Sequence, residues 1–183
     1  MNQYTTFVRK NNGGCSVRRT ALCFSLAAAL LAGCAHTGTQ REERIARGWM
    51  ERSALFSPEY QAFRTTYDTV SVGKPFVEML KSVSSGVETI VFLGTWCSDS
   101  RREVPRFFKL ADEAGIPPAS IRLYGLDRTK KSNDGLTDQY AIVLLPTFVF
   151  MKGGKELGRI VESPQATIEQ DMVTILAKAA SAP

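Results

Sequence analysis

The run Val87-Glu-Thr-Ile-Val-Phe-Leu93 narrows most sharply what this 183-residue chain can become. It is almost continuously apolar, so both faces of the strand it predicts must be covered. That is the situation of a central strand in a parallel or mixed sheet with layers on either side. The next segment changes period: from about Ser98, the residues Val104, Phe107, Phe108 and Ala111 fall at i, i+3, i+4 and i+7, one stripe of a helix, with Pro105 inside it as a kink.

Similar patterns extend the reading along the chain. Residues 41–56 read as a helix on the spacing of Ile45, Trp49, Leu55 and Phe56, weakened by Gly48. Tyr67–Val72 alternates like a short strand, and Pro75–Val83 repeats with helical spacing. Ser120–Leu126 reads as a strand, and 134–140 as a short helix at most. Thr147–Met151 and Glu156–Val161 flank Gly153-Gly154 as a hairpin, and a last helix is expected to open at Ser163-Pro164. Alternating strands and helices ending in a hairpin predict an α/β fold, a mixed sheet with helices on both faces. With 44% hydrophobic and 22% charged residues, the composition supports a packed core and excludes a disordered chain.

The net charge of +5, from 23 Lys+Arg against 18 Asp+Glu, would ordinarily point to nucleic acid or another anionic surface. Its distribution argues otherwise. Arg9, Lys10, Arg18 and Arg19 precede any acidic residue, and an uncharged, largely apolar stretch runs from Thr20 to Gly33. Basic residues, an apolar stretch and then small residues is the order of an export signal. Leu31-Ala-Gly-Cys34 resembles a bacterial lipobox, which implies cleavage before Cys34 and acylation of its thiol. Cleavage removes 33 residues and four basic side chains, leaving 150 residues with 19 basic and 18 acidic groups. The case for nucleic acid then disappears, and membrane attachment rests on lipid rather than charge. Ala35 in place of an inner-membrane Asp signal leans toward the outer membrane, with the protein facing the periplasm.

The expected organisation is a signal peptide over 1–33, a lipidated Cys and tether over 34–41, a helical extension over 42–66, and the main domain over 67–183. His36, the only histidine, lies in the tether with nothing nearby to complete a metal site, and nothing in the sequence suggests a metal, nucleotide or other cofactor. Cys15 and Cys23 leave with the signal and Cys34 is consumed by lipid. Cys97 is then a single thiol in an oxidising compartment, either buried and inert or exposed and functional.

Four motifs in order resemble the thioredoxin family. They are Phe92-Leu-Gly-Thr-Trp96-Cys97 at a strand-to-helix junction, Pro105 eight residues on, Tyr140-Ala-Ile-Val-Leu-Leu145-Pro146-Thr147 ahead of an apolar strand, and Lys152-Gly-Gly-Lys155-Glu-Leu-Gly158. The resemblance spans about Tyr67–Ala180. It implies a thioredoxin-like fold with sheet order 1-3-2-4-5, a reactive Cys97, and a cis Pro146 packed against it. It further implies that Trp96 walls the site and that Leu145, Pro146 and Thr147 bind an extended client segment. Independently of the family, a Cys at a helix N-terminus faces unpaired N–H groups and the positive end of the helix dipole, which favour the thiolate that attacks disulfides.

Two departures bear on function. Ser100 stands where the family has its resolving Cys, so a mixed disulfide at Cys97 has no internal thiol to release it. Val91 stands where the family keeps a buried Asp for proton transfer. Asp127, at a strand end, is the replacement candidate, and a cap on the following turn is an equally open role for it. Ser98 or Ser100 is a candidate hydrogen-bond donor to the thiolate. Two functions follow: a membrane-tethered monothiol thiol–disulfide oxidoreductase with protein thiols or disulfides as clients and an external thiol as resolving partner, or a redox-silent module that binds partner peptides at the cis-proline groove.

Overall fold

The computed structural model describes residues 44–180, so the export segment, Cys34 and the tether lie outside the described residues. Five strands form one mixed sheet in the order β1-β3-β2-β4-β5, the order that the sequence predicts. They are β1 (Gly48–Met50), β2 (Val87–Leu93), β3 (Ile121–Gly125), β4 (Thr147–Lys152) and β5 (Lys155–Val161). Strand β2 runs parallel to β3 and antiparallel to β4, and β1 and β5 are antiparallel edges. Around them lie α1 (Arg52–Leu55), α2 (Gln61–Thr69), α3 (Lys74–Val83), α4 (Ser98–Glu113), α5 (Leu136–Gln139) and α6 (Ile168–Ala180).

The apolar run of β2 is buried on both sides, as its composition requires. Val87, Val91 and Leu93 join a core built with Phe63, Leu80, Phe107, Phe108, Phe148, Phe150 and Met172, which brings in α2, α3, α4 and α6. Ile90 and Phe92 point the other way, into a smaller cluster with Tyr124, Leu126, Ile142, Leu145 and Val149. Trp96 and Cys97 pack against that second cluster. The β4–β5 hairpin turns through Gly153 and Gly154 at φ 54° and 76°, a two-residue turn that needs positive φ at both positions.

Three boundaries differ from the sequence reading. The helix expected over 41–56 is instead strand β1 followed by the single turn α1, because Gly48 adopts φ 79° and Gly48–Met50 pairs with Met50↔Leu123 and Gly48↔Gly125 on β3. Tyr67–Val72, expected as a strand, is not one: Tyr67–Thr69 is the end of α2, and 70–72 lead into the next helix without regular structure. Its threonines turn their hydroxyls back onto helix carbonyls, Thr66 to Ala62 at 3.0 Å and Thr69 to Thr65 at 2.9 Å, so an alternating β-branched pattern is absorbed into a helix. The sheet order therefore stands, with its first strand supplied by an earlier segment. The last helix opens at Ile168, not Pro164. Thr167 Oγ1 accepts from the Gln170 N–H at 3.2 Å, and the Asp171 carboxylate takes the N–H groups of Gln165 and Ala166.

An ion pair fixes the segment before α2 onto α4. The Arg52 guanidinium grips the Asp112 carboxylate and lies 4.2 Å from the centroid of the Phe108 ring, and Tyr67 donates to Asp112 at 2.6 Å. Burial of Asp112 favours its neutral form, but the hydrogen bonds from Arg52 and Tyr67 outweigh it and hold the carboxyl below the usual range.

Candidate functional site

The site forms at the carboxyl end of β2, where the chain makes the turn Gly94-Thr-Trp-Cys97 and enters α4. The Cys97 N–H donates to the Gly94 carbonyl at 3.0 Å, and Cys97 is the N-cap residue of the 16-residue α4. Its side chain makes no capping bond, so the sulphur sits at the helix end whose first N–H groups have no partner within the helix. Cys97 is a free, half-buried cysteine. Its thiol donates to the Leu145 carbonyl at 3.4 Å, and the Leu145–Pro146 peptide that follows is cis.

The other expected residues take definite places. The Trp96 indole N–H donates to the Leu126 carbonyl at 2.8 Å, and the Arg128 guanidinium lies 4.8 Å from the ring centroid, so Trp96 is fixed as a wall beside the thiol. Ser100 is fully buried and its hydroxyl oxygen accepts from the Gly94 N–H at 3.1 Å. The residue at the resolving position thus braces the turn instead of bonding the sulphur. Leu145 and Thr147 are buried, and Thr147 Oγ1 donates to the Leu144 carbonyl at 2.7 Å. Thr147 pairs with both Phe92 and Val161 in the sheet. The Leu145 carbonyl is the thiol's acceptor.

Asp127 turns away from this arrangement. Its carboxylate accepts from the Thr129 N–H at 2.9 Å, from the Thr129 hydroxyl, and from Arg47 Nε at 3.0 Å. The bond from the Thr129 hydroxyl leads the causes that hold its carboxyl below the ordinary range, followed by that from the Thr129 N–H. Of the two roles open to Asp127, the geometry is that of the turn cap. Val91 is fully buried among apolar side chains.

Several residues of the site were missed by reasoning from sequence. Thr95 is 1% exposed; its hydroxyl accepts from the Ala46 N–H at 3.2 Å and donates to the Arg44 carbonyl at 3.1 Å. Its own carbonyl accepts from Arg101 Nε at 2.8 Å. The segment ahead of β1 is thereby strapped to the turn that carries the thiol. Glu103 is 2% exposed, with Oε1 accepting from Arg102 Nε at 2.6 Å and Oε2 buried without a hydrogen bond. A signal for it was available: Ser100, Glu103, Val104 and Phe107 form one helical stripe, and a Glu in such a stripe is a buried charge that needs a partner. Among the described residues, no cluster of three or more His, Cys, Asp or Glu is placed to hold a metal ion.

Comparison with known proteins agrees with this geometry. A family model described as thioredoxin matches residues 57–179, more than half of the chain. The chain is similar to Thioredoxin-2 of Saccharomyces cerevisiae, 30% identical over 91 residues that cover 49% of this chain and 82% of that protein. It is also similar to the thioredoxin-like protein R548 of Acanthamoeba polyphaga mimivirus, 29% identical over 98 residues, 54% of this chain and 69% of that one. A solved structure of a Pseudomonas aeruginosa protein of unknown function shares the fold, with a TM-score of 0.55 at 17% identity over 74% of this chain and 94% of that chain. With the matched span containing the turn, the thiol, the helix it caps and the cis proline, the chain belongs to the thioredoxin family.

Proposed function

We propose that this protein is a membrane-tethered, periplasmic monothiol thiol–disulfide oxidoreductase acting through Cys97. One observation carries the reading: a half-buried thiol on the N-cap residue of α4 touches the carbonyl ahead of a cis proline, the place where an extended client segment would lie. The Cys97 thiolate attacks one sulphur of a client disulfide, the client S–S bond breaks, and the other client sulphur leaves as a thiolate. With Ser100 in place of a second thiol, the resulting mixed disulfide waits for an external thiol. That thiol attacks the Cys97 sulphur and frees the client thiolate, and a second external thiol then restores Cys97 and leaves as the external disulfide. Lipidation at Cys34, suggested by Leu31-Ala-Gly-Cys34, would hold the domain at the membrane, with the outer membrane favoured by Ala35.

Trapping in cells tests the reading. Alkylation at the moment of lysis should preserve Cys97-linked mixed disulfides that are absent in Cys97→Ser, and the protein should leave the membrane fraction in Cys34→Ala. If no adduct is trapped, the thiol chemistry is refuted and peptide binding at the cis-proline groove is left as the activity of the site.

A further inference from the structure

The two sides of the cleft are joined by a second route that the thiol chemistry has not used. Arg102, on the first turns of α4, sends Nε to Glu103 Oε1 at 2.6 Å and Nη2 to both Asp99 Oδ1 at 2.8 Å and Ser163 Oγ at 2.9 Å. Ser163 lies just beyond β5, beside Glu162, and the Glu162 N–H donates to the Pro146 carbonyl at 2.7 Å. The contacts close a circuit: the Cys97 thiol meets the Leu145 carbonyl on one side, and on the other Pro146 is held by Glu162, Ser163 by Arg102, and Arg102 by the helix that Cys97 caps.

Two features show that the circuit is built at a cost. Glu162 has φ 62°, and the Ser163 N–H donates back to the Val161 carbonyl at 2.7 Å, which makes a γ-turn with positive φ at a non-glycine residue, a rare and strained conformation. Glu103 is buried with Oε2 outside hydrogen-bond reach and only a 3.9 Å ion pair to Arg106 Nη1, while Oε1 gives Arg102 Nε a rigid seat. Half-exposed arginines are ordinarily mobile; this one is fixed at three points.

We propose that Arg102, seated on Glu103, is a positioning residue that latches the cis-proline side of the cleft to the Cys97 helix through Ser163. It touches neither thiol nor client. It sets the gap into which an extended client must fit, so its effect falls on clients that use the backbone of Leu145–Thr147 and far less on small disulfides that need only the sulphur. The inference rests on the thiol chemistry proposed above.

The test uses Ser163→Ala, which removes one exposed hydroxyl and leaves the bonds of Arg102 to Asp99 and Glu103 in place, with Ser163→Thr as the conservative variant. Two probes are compared on the full chain with Cys15, Cys23 and Cys34 replaced by serine, so that Cys97 is its one thiol: 2,2′-dithiodipyridine, and an alanine-rich octapeptide whose central cysteine carries a thiopyridyl disulfide. In both reactions Cys97 attacks, the S–S bond breaks and pyridine-2-thione leaves, so release of the thione reports either rate. The ratio of peptide rate to small-probe rate should fall about fivefold in Ser163→Ala, the worth of about one hydrogen bond, and return in Ser163→Thr. A ratio unchanged in Ser163→Ala, or a fall that Ser163→Thr does not restore, overturns the latch. A wild-type protein that reacts with neither probe removes the thiol chemistry itself, and the latch with it.

Discussion

Replacing Ser100 by cysteine should convert a protein that holds its client into one that lets it go. Three residues along a helix, Cα atoms are about 5 Å apart, inside the roughly 4.4–6.8 Å that a disulfide spans. One thiol confined within about 5 Å of another is equivalent to a concentration of about 3 M. Against an external thiol at about 1 mM, release of the client from the mixed disulfide should therefore accelerate by roughly three orders of magnitude, about 4 kcal/mol in the barrier. The substitution has a structural cost, because Ser100 is fully buried and its oxygen accepts from the Gly94 N–H. A larger atom and a weaker acceptor there should cost about 1–2 kcal/mol, which a folded domain of this size tolerates. The assay follows the thiopyridyl octapeptide by intact mass. With Cys15, Cys23 and Cys34 replaced by serine in both proteins, the parent with Ser100 should release one equivalent of thione and keep the peptide. Ser100→Cys should release the thione and then the peptide, ending as an internally oxidised protein. A folded Ser100→Cys protein that keeps its peptide within about tenfold of the wild-type lifetime would refute the geometry assigned to the first turn of α4.

Other perturbations read the frame around the site. Because the folded-state pKa of Asp112 lies below its ordinary value, its ion pair contributes stability above the unfolded carboxyl range and loses it as pH falls through the folded value. Asp112→Asn should therefore lower the Tm at pH about 6 and narrow the drop in Tm between pH about 6 and pH about 2.5; an equal drop in both proteins would remove the pair from the acid response. A Cβ on Gly125 would meet the backbone oxygen of Ala46 at 2.8 Å, so the strap ahead of β1 must shift. Gly125→Ala should cost about 1–3 kcal/mol, lower the Tm by several degrees and expose the Ala46 amide to hydrogen exchange; unchanged protection of that amide would show the strap to be indifferent to the contact.

The parts of the fold that were legible before the structure are those decided locally. Val87–Leu93 is apolar on both faces and had to be central, Gly153-Gly154 had to be a tight turn, and Cys97 had to begin a helix because the stripe of α4 starts beside it. What escaped was decided at a distance. Strand β1 is three residues long and exists through its pairing with β3, so nothing in Gly48–Met50 itself distinguishes it from the helix expected there. The threonines of α2 satisfy themselves on helix carbonyls, which alternation alone does not reveal. At the site, the thiol and the cis-proline segment were visible as motifs. The strap on Thr95 and the bond from Arg102 to Ser163 join residues 49 and 61 positions apart, and no local pattern announces such pairs. Asp127 was legible as a strand-end carboxylate and the cap it makes on Thr129 is local; what no local pattern announced is its ion pair with Arg47, 80 residues away.

If the fold makes Cys97 a working thiol, its reactivity must depend on the folded state. The native chain and the same chain unfolded in guanidinium chloride are treated with 2,2′-dithiodipyridine at neutral pH, and peptide mapping assigns the adduct to its cysteine. Cys97 should react faster in the folded protein than in the unfolded one, and the folded adduct should persist until an external thiol is added. A folded protein in which Cys97 reacts more slowly than in the unfolded chain, or not at all, would contradict it.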